Sequence, residues 1–161
     1  MKFGTSTLLA SLALLSSAVP AFAKDTFIDL MGQSTVAAQT RDWKGGAALG
    51  DRLLALPDLT TPQRAAIFSH LCMHFTNMSA FDDAGAACRK SVALDPTSWT
   101  VYLNRGNFML AMGDKFAARV DYHKARELNP SAPTLSGPGT PVTYVVLGIP
   151  ESSAQVAEAG E

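Results

Sequence analysis

The sequence predicts an all-α fold in which about three helix-turn-helix hairpins stack side by side. Three segments share one pattern, a turn-like pair followed by small residues at helical spacing, and they begin at Arg41, Ser79 and Gly113. Each segment runs to a proline, and the last two prolines, Pro96 and Pro130, stand in similar settings 34 residues apart. A fixed period of this length is typical of stacked supersecondary units.

The composition fits one globular domain or a short array of repeats. The chain has 161 residues, of which 47% are hydrophobic and 17% charged, and its formal net charge is -1. We expect no nucleic-acid partner, because such a protein needs a basic face to neutralise phosphates. The hydrophobic content is too high for extended disorder, and two cysteines are too few for a disulfide-rich scaffold.

The first 23 residues have the pattern of a Sec-type signal peptide. Lys2 supplies a positive start, residues 8–15 form a short apolar run, and residues 21–23 are a small-x-small cleavage pattern. We expect cleavage after Ala23 and a periplasmic or secreted mature protein. The apolar run is too short to span a bilayer, so we expect no stable membrane insertion of the mature chain. An uncleaved N-terminal anchor is the alternative.

The helix boundaries follow from capping signals and periodicity. Thr61-Pro62 and Asp95-Pro96 each place a capping oxygen just before a proline of a first helical turn. Gly113 follows an apolar segment where a left-handed residue is expected to end a helix. We therefore expect six helices, at about 25–39, 42–55, 61–77, 80–94, 97–111 and 114–128.

These hairpins resemble the tetratricopeptide repeat family, whose unit is a 34-residue helix-turn-helix. The family places large and small residues in a fixed order, and three copies in this chain follow it. One copy matches at Tyr102, Gly106, Met109, Ala118, Tyr122, Ala125 and Pro130. The preceding copy matches at Phe68, Leu71, Cys72, Phe75, Ala84, Cys88, Ser91 and Pro96. The first copy matches at Leu30, Ser34, Ala37, Gly46, Gly50 and Leu53.

The resemblance covers residues 25–132 and implies a right-handed superhelical stack of hairpins. Arg105 departs from the family pattern, because that position is usually apolar. Residues 133–161 form a low-complexity tail with a short apolar run at 142–149. This run can fold back over the exposed end of the array, add to a partner, mediate self-association or belong to a disordered linker.

The resemblance also implies a concave groove lined by the first helix of each hairpin. The candidate groove residues are Met31, Thr35, His70, Met73, Asn77, Asn104 and Asn107. Asparagine and histidine can hydrogen-bond a peptide backbone, and methionine makes adaptable apolar contacts. We expect an exported, non-enzymatic adaptor that binds a protein or peptide partner. Ordinary solvated helix residues are the alternative for each position. The basic residues with which some family members clamp a terminal carboxylate are absent.

The two cysteines are expected to form a disulfide. Cys72 and Cys88 are separated by sixteen residues and face each other across an antiparallel turn centred near Ala80. An oxidising compartment favours a bridge at such a position. Two buried free thiols are the alternative.

A second candidate function is a periplasmic metal-binding or metal-delivery protein using His70, Met73 and His74. The two histidines share one helical face, and a thioether suits copper. A further ligand would be needed, and His123 is a candidate. The sequence has no Gly-x-Ser-x-Gly nucleophile elbow, and no glycine-rich loop stands between a strand and a helix to bind phosphate. We therefore expect no catalytic residues and no cofactor.

Overall fold

The computed structural model describes residues 26–131, and this part of the chain is entirely helical, without strands. The six helices are α1 (Phe27–Gln39), α2 (Trp43–Leu54), α3 (Thr61–Asn77), α4 (Phe81–Leu94), α5 (Trp99–Ala111) and α6 (Lys115–Leu128). The predicted all-α fold is confirmed, and each predicted helix boundary lies within about two residues of the observed one. The predicted signal peptide (1–23) and tail (133–161) lie outside the described residues.

The helices form three antiparallel hairpins, α1–α2, α3–α4 and α5–α6, stacked in chain order. The second helix of one hairpin packs against the first helix of the next, so that α2 contacts α3 and α4 contacts α5. Helix α3 is central and touches four other helices. The stack buries one shared cluster of side chains, formed by Leu30, Leu53, Ile67, Leu71, Cys72, Ala84, Ala87, Cys88 and Phe108. No single hairpin could bury these apolar faces alone.

The turns inside the three hairpins share one backbone conformation. Arg41, Ser79 and Gly113 each have a positive φ, of 60°, 59° and 85°. The residue after each of them donates its amide to a carbonyl five residues earlier, at 2.8–3.0 Å. This pattern satisfies carbonyls at the end of each first helix. The turn-like pairs found in the sequence are therefore equivalent points of a structural repeat.

Side chains cap most of the helix starts. Thr60 caps α3 and forms a reciprocal capping box with Gln63, so the cap lies one residue before the predicted Thr61. The prediction at Asp95 was wrong, because α5 begins only at Trp99, after Ser98. The Asp95 carboxylate instead accepts a hydrogen bond from the Thr97 amide in the preceding turn, at 3.0 Å.

Small residues allow the helices of a hairpin to approach closely. A methyl group at Gly106 of α5 would lie 2.7 Å from the ring of Tyr122 on α6. Tyr122 and the neighbouring Ala118 are fully buried. This contact supports the predicted role of the small positions. Among the described residues, no helix combines the length and hydrophobicity needed to cross a bilayer.

Candidate functional site

Cys72 on α3 and Cys88 on α4 lie at disulfide distance. Their sulfur atoms are 2.00 Å apart and their Cα atoms 4.9 Å apart. Both residues are buried in the shared cluster. This distance agrees with the predicted pairing across the second hairpin, and the pair joins α4 to α3, the helix that carries three of the candidate groove residues.

The same spacing brings two charged residues together in the third hairpin. Arg105 on α5 and Asp121 on α6 are sixteen residues apart, and the guanidinium donates two hydrogen bonds to the carboxylate, at 2.6 and 2.8 Å. The Asp121 side chain is 5% exposed and that of Arg105 26%. The guanidinium also lies over the Tyr102 ring. The hydrogen bond from Arg105 to Asp121 raises the pKa of Arg105.

This ion pair explains why Arg105 stands at a repeat position that is apolar in the second hairpin. Arg105 has its counterpart at Leu71 in the second hairpin, and Asp121 has its counterpart at Ala87. Both positions are therefore apolar in the second hairpin and charged in the third. The repeat pattern in the sequence identifies Arg105 as a departure but does not identify Asp121. An acidic residue sixteen positions after the arginine is the signal that could have found it.

A second polar cluster joins the first hairpin to α3. The Ser34 hydroxyl on α1 lies 3.0 Å from Nδ1 of His70 and 3.0 Å from Nε2 of His74. A hydroxyl has one proton, so Ser34 donates to one imidazole and accepts from the other. His74 is fully buried beside Trp43 and Gly46 of α2, and its Nδ1 has no hydrogen-bond partner in the described part of the chain.

Burial keeps both imidazoles of this cluster neutral at neutral pH. The pKa of His74 falls to about 4, because burial penalises the charged form and His70 repels it, while Asp42 partly opposes these effects. Burial also lowers the pKa of His70. The Ser34–His70–His74 cluster is therefore an uncharged contact between hairpins under ordinary conditions.

The candidate groove residues occupy two kinds of environment. Asn104 is half-buried, and its amide donates to the backbone and the hydroxyl of Ser69 on α3, at 3.1 and 2.8 Å. His70 makes the corresponding link from α3 to α1 through Ser34. Met31 packs partly against the shared cluster. The structure thus gives these three residues contacts that join or support the hairpins.

The other four candidate groove residues are accessible. Thr35, Asn77 and Asn107 are exposed, and Met73 is half-buried. The Asn77 amide donates to the Met73 carbonyl at 2.9 Å. Asn107 accepts a hydrogen bond from the Tyr122 hydroxyl at 2.7 Å. The hydroxyl of Thr35 donates to the carbonyl one turn earlier. These contacts orient side chains at the surface without burying them.

The metal-ligand candidates are arranged differently from a preformed metal site. Nδ1 of His70 and Nε2 of His74 both contact the Ser34 hydroxyl, and Cys72 lies at disulfide distance from Cys88. His123 lies on α6, where its Nδ1 is 3.2 Å from the carboxylate of Glu127. The described residues contain no group of three or more His, Cys, Asp or Glu side chains placed to hold a metal.

A comparison with protein-family models finds no match for this chain. A comparison with curated proteins also finds no match.

Proposed function

We propose that this chain is an exported, non-enzymatic adaptor of the tetratricopeptide repeat type. It binds an extended segment of a protein partner across its first-helix face, the surface that α1, α3 and α5 present through Thr35, Met73, Asn77 and Asn107. The observation that carries the proposal is that three of these, Thr35, Met73 and Asn107, occupy equivalent positions of three stacked helices. A row of this kind suits a ligand that crosses the helices.

The chemistry of the first-helix face suits a peptide backbone. Asn107 uses its side-chain oxygen to accept from Tyr122, which leaves the amide nitrogen to donate to a ligand carbonyl. Asn77 donates to its own helix, which leaves its oxygen to accept from a ligand amide. Met73 lies one turn before Asn77 on α3 and offers an apolar contact that adapts to different side chains. None of these residues is charged, so binding depends weakly on salt.

The contacts beneath this face hold it in one shape. His70 links α3 to α1 through Ser34, and Asn104 links α5 to α3 through Ser69. The Cys72–Cys88 pair closes the middle hairpin. A face that is rigid before binding loses less conformational entropy when a partner docks. This rigidity supports an adaptor role more than a role that requires large movements.

Peptide binding is tested by selecting ligands from a displayed random-peptide library against residues 24–161. Met73→Glu places a charge in the middle of the row and is expected to weaken the selected peptides at least about tenfold, a loss of about 1.4 kcal/mol. Ala48→Glu, at an exposed position of α2, is the matched control and retains binding. Equal affinity for both variants would remove the first-helix face from the proposal.

Export is tested separately on the protein recovered from cells. We expect an N-terminus at Lys24 in the exported fraction and no free thiol before reduction, since a disulfide fits an oxidising compartment. A cytosolic product that begins at Met1 and titrates with two thiols contradicts export but leaves the peptide-binding proposal untouched.

A further inference from the structure

Helix α6 carries an apolar surface that the repeat pattern does not explain. Phe116 is 78% exposed and Val120 54% exposed, and their spacing of four places them on one face of the helix. The equivalent residues of α4 are Asp82 and Ala86. Two large apolar side chains therefore replace an acidic and a small residue on the last described helix. We call Phe116 and Val120 the α6 patch.

A further hairpin of the same kind is a poor occupant for this end of the stack. Where the second hairpin meets the third, the ring of Phe108 on α5 packs against Gly85 of α4, and a β-carbon at Gly85 would lie 3.2 Å from this ring. The residue equivalent to Gly85 on α6 is Arg119. A long side chain at this position blocks the same packing by a following helix. A different kind of element is therefore a better occupant for this end of the stack.

We propose that the apolar segment 142–149 of the same chain docks on the α6 patch and covers the last hairpin. The described residues end at 131, three residues after the last residue of α6, so the tail is joined to the C-terminal end of this helix. The ten residues from 132 to 141 can span up to about 35 Å when extended. Helix α6 is about 21 Å long, so the segment can reach any point of the patch.

The charges of the two partners are complementary. Residues 132–161 contain three glutamates and no lysine or arginine. The exposed side of α6 carries Lys115 next to Phe116, and Arg119 next to Val120. Docking of the apolar segment therefore brings an acidic tail to a basic helix surface, and screened attraction between them favours this occupant. The interaction does not depend on the first-helix face.

The test measures how fast a thiol at the α6 patch reacts with maleimide in the full chain. Val120→Cys keeps Phe116 in place, and the Cys72–Cys88 pair is buried away from the reagent. Adding Val145→Asp and Val146→Asp disrupts the tail segment. Cys at position 120 should react about tenfold more slowly with the native tail, which corresponds to a docking free energy of about 1.4 kcal/mol.

Val36→Cys is the matched control, because Val36 is 55% exposed on α1 at the opposite end of the stack. Its reaction rate should not change when the tail is altered. Equal rates at position 120 with the native and the altered tail would overturn the proposal. Protection that grows with protein concentration would also overturn it, because the occupant would then be a second copy of the chain. A disulfide formed within one molecule between cysteines placed at 120 and 145 supports it.

Discussion

Arg105 and Asp121 form a two-hydrogen-bond ion pair across the third hairpin, at the place where the second hairpin has Leu71 and Ala87. The carboxylate is almost completely buried, whereas the guanidinium is partly open to solvent. The buried Asp121 therefore needs its partner more than the partly exposed Arg105 does. Within residues 26–131, Arg105 is the basic residue that hydrogen-bonds the Asp121 carboxylate, so burial of this carboxylate requires the arginine.

Removing Arg105 alone should destabilise the protein strongly. Arg105→Leu leaves a buried carboxylate without its partner, and we expect the free energy of unfolding to fall by about 3 kcal/mol. Adding Asp121→Ala installs the residue pair of the second hairpin and should recover most of this loss, because apolar replacements of buried ion pairs are well tolerated. Urea denaturation of the two single variants and the double variant measures the coupling. Additive losses would contradict it.

Helix α4 should gain stability from a side-chain cap. Ala80 has the backbone conformation of Asp42 and Asp114, which cap α2 and α6, but its side chain cannot accept a hydrogen bond. Ala80→Asp should therefore raise the free energy of unfolding by about 1 kcal/mol. Asp114→Ala is the reverse control and should lower it by a similar amount. If Ala80→Asp were destabilising, the equivalence of the three turns would be in question.

The left-handed turn residues give a second paired prediction. Ser79 and Gly113 both have a positive φ, of 59° and 85°, and only glycine adopts this region without a steric penalty from Cβ. Ser79→Gly should raise the free energy of unfolding by about 0.5–1 kcal/mol and with it the melting temperature. Gly113→Ala should lower the free energy of unfolding by about 1 kcal/mol. Thermal unfolding followed by circular dichroism distinguishes the two signs. A loss in both variants would mean that the Ser79 side chain contributes more than its backbone conformation costs.

Local signals and fixed spacings explain why the helices and the cysteine pair could be predicted. Turn residues and prolines mark the ends of each helix within a few positions along the chain, so no tertiary information was needed. The spacing of sixteen between Cys72 and Cys88 follows from the length of one hairpin. The burial of Asp121 could not be predicted, because an acidic residue in a polar helix resembles a surface residue until its partner is known.

The contacts between hairpins could be predicted only in part. His70 and His74 were placed on one helical face correctly, but their shared contact with Ser34 depends on how α1 sits against α3. The first two copies of the repeat are separated by more than the regular period, so the register between them was not fixed by the sequence. The same limit applied to Asn104, whose link to Ser69 crosses from the third hairpin to the second.

The buried His74 should make stability depend on pH below neutrality. Its pKa is about 4 in the folded protein, against 6.5 for an ordinary histidine, so the unfolded chain binds more protons between these values. The contribution is complete above pH 6.5, is lost as the pH falls to about 4, and amounts to at most about 3 kcal/mol. His70 acts in the same direction, because its pKa is also lowered.

A variant at this position isolates the effect from the titration of carboxylates. His74→Phe installs the residue found at the equivalent position, Phe108, and removes the ionisable ring. Compared with the native chain, its free energy of unfolding should fall less between pH 6.5 and 4, and the difference should approach the value expected for His74. His123→Gln, on α6, controls for the loss of a histidine outside the cluster. Parallel stability curves for His74→Phe and the native chain would show that His74 is not buried as a neutral ring, because a neutral buried imidazole must resist protonation.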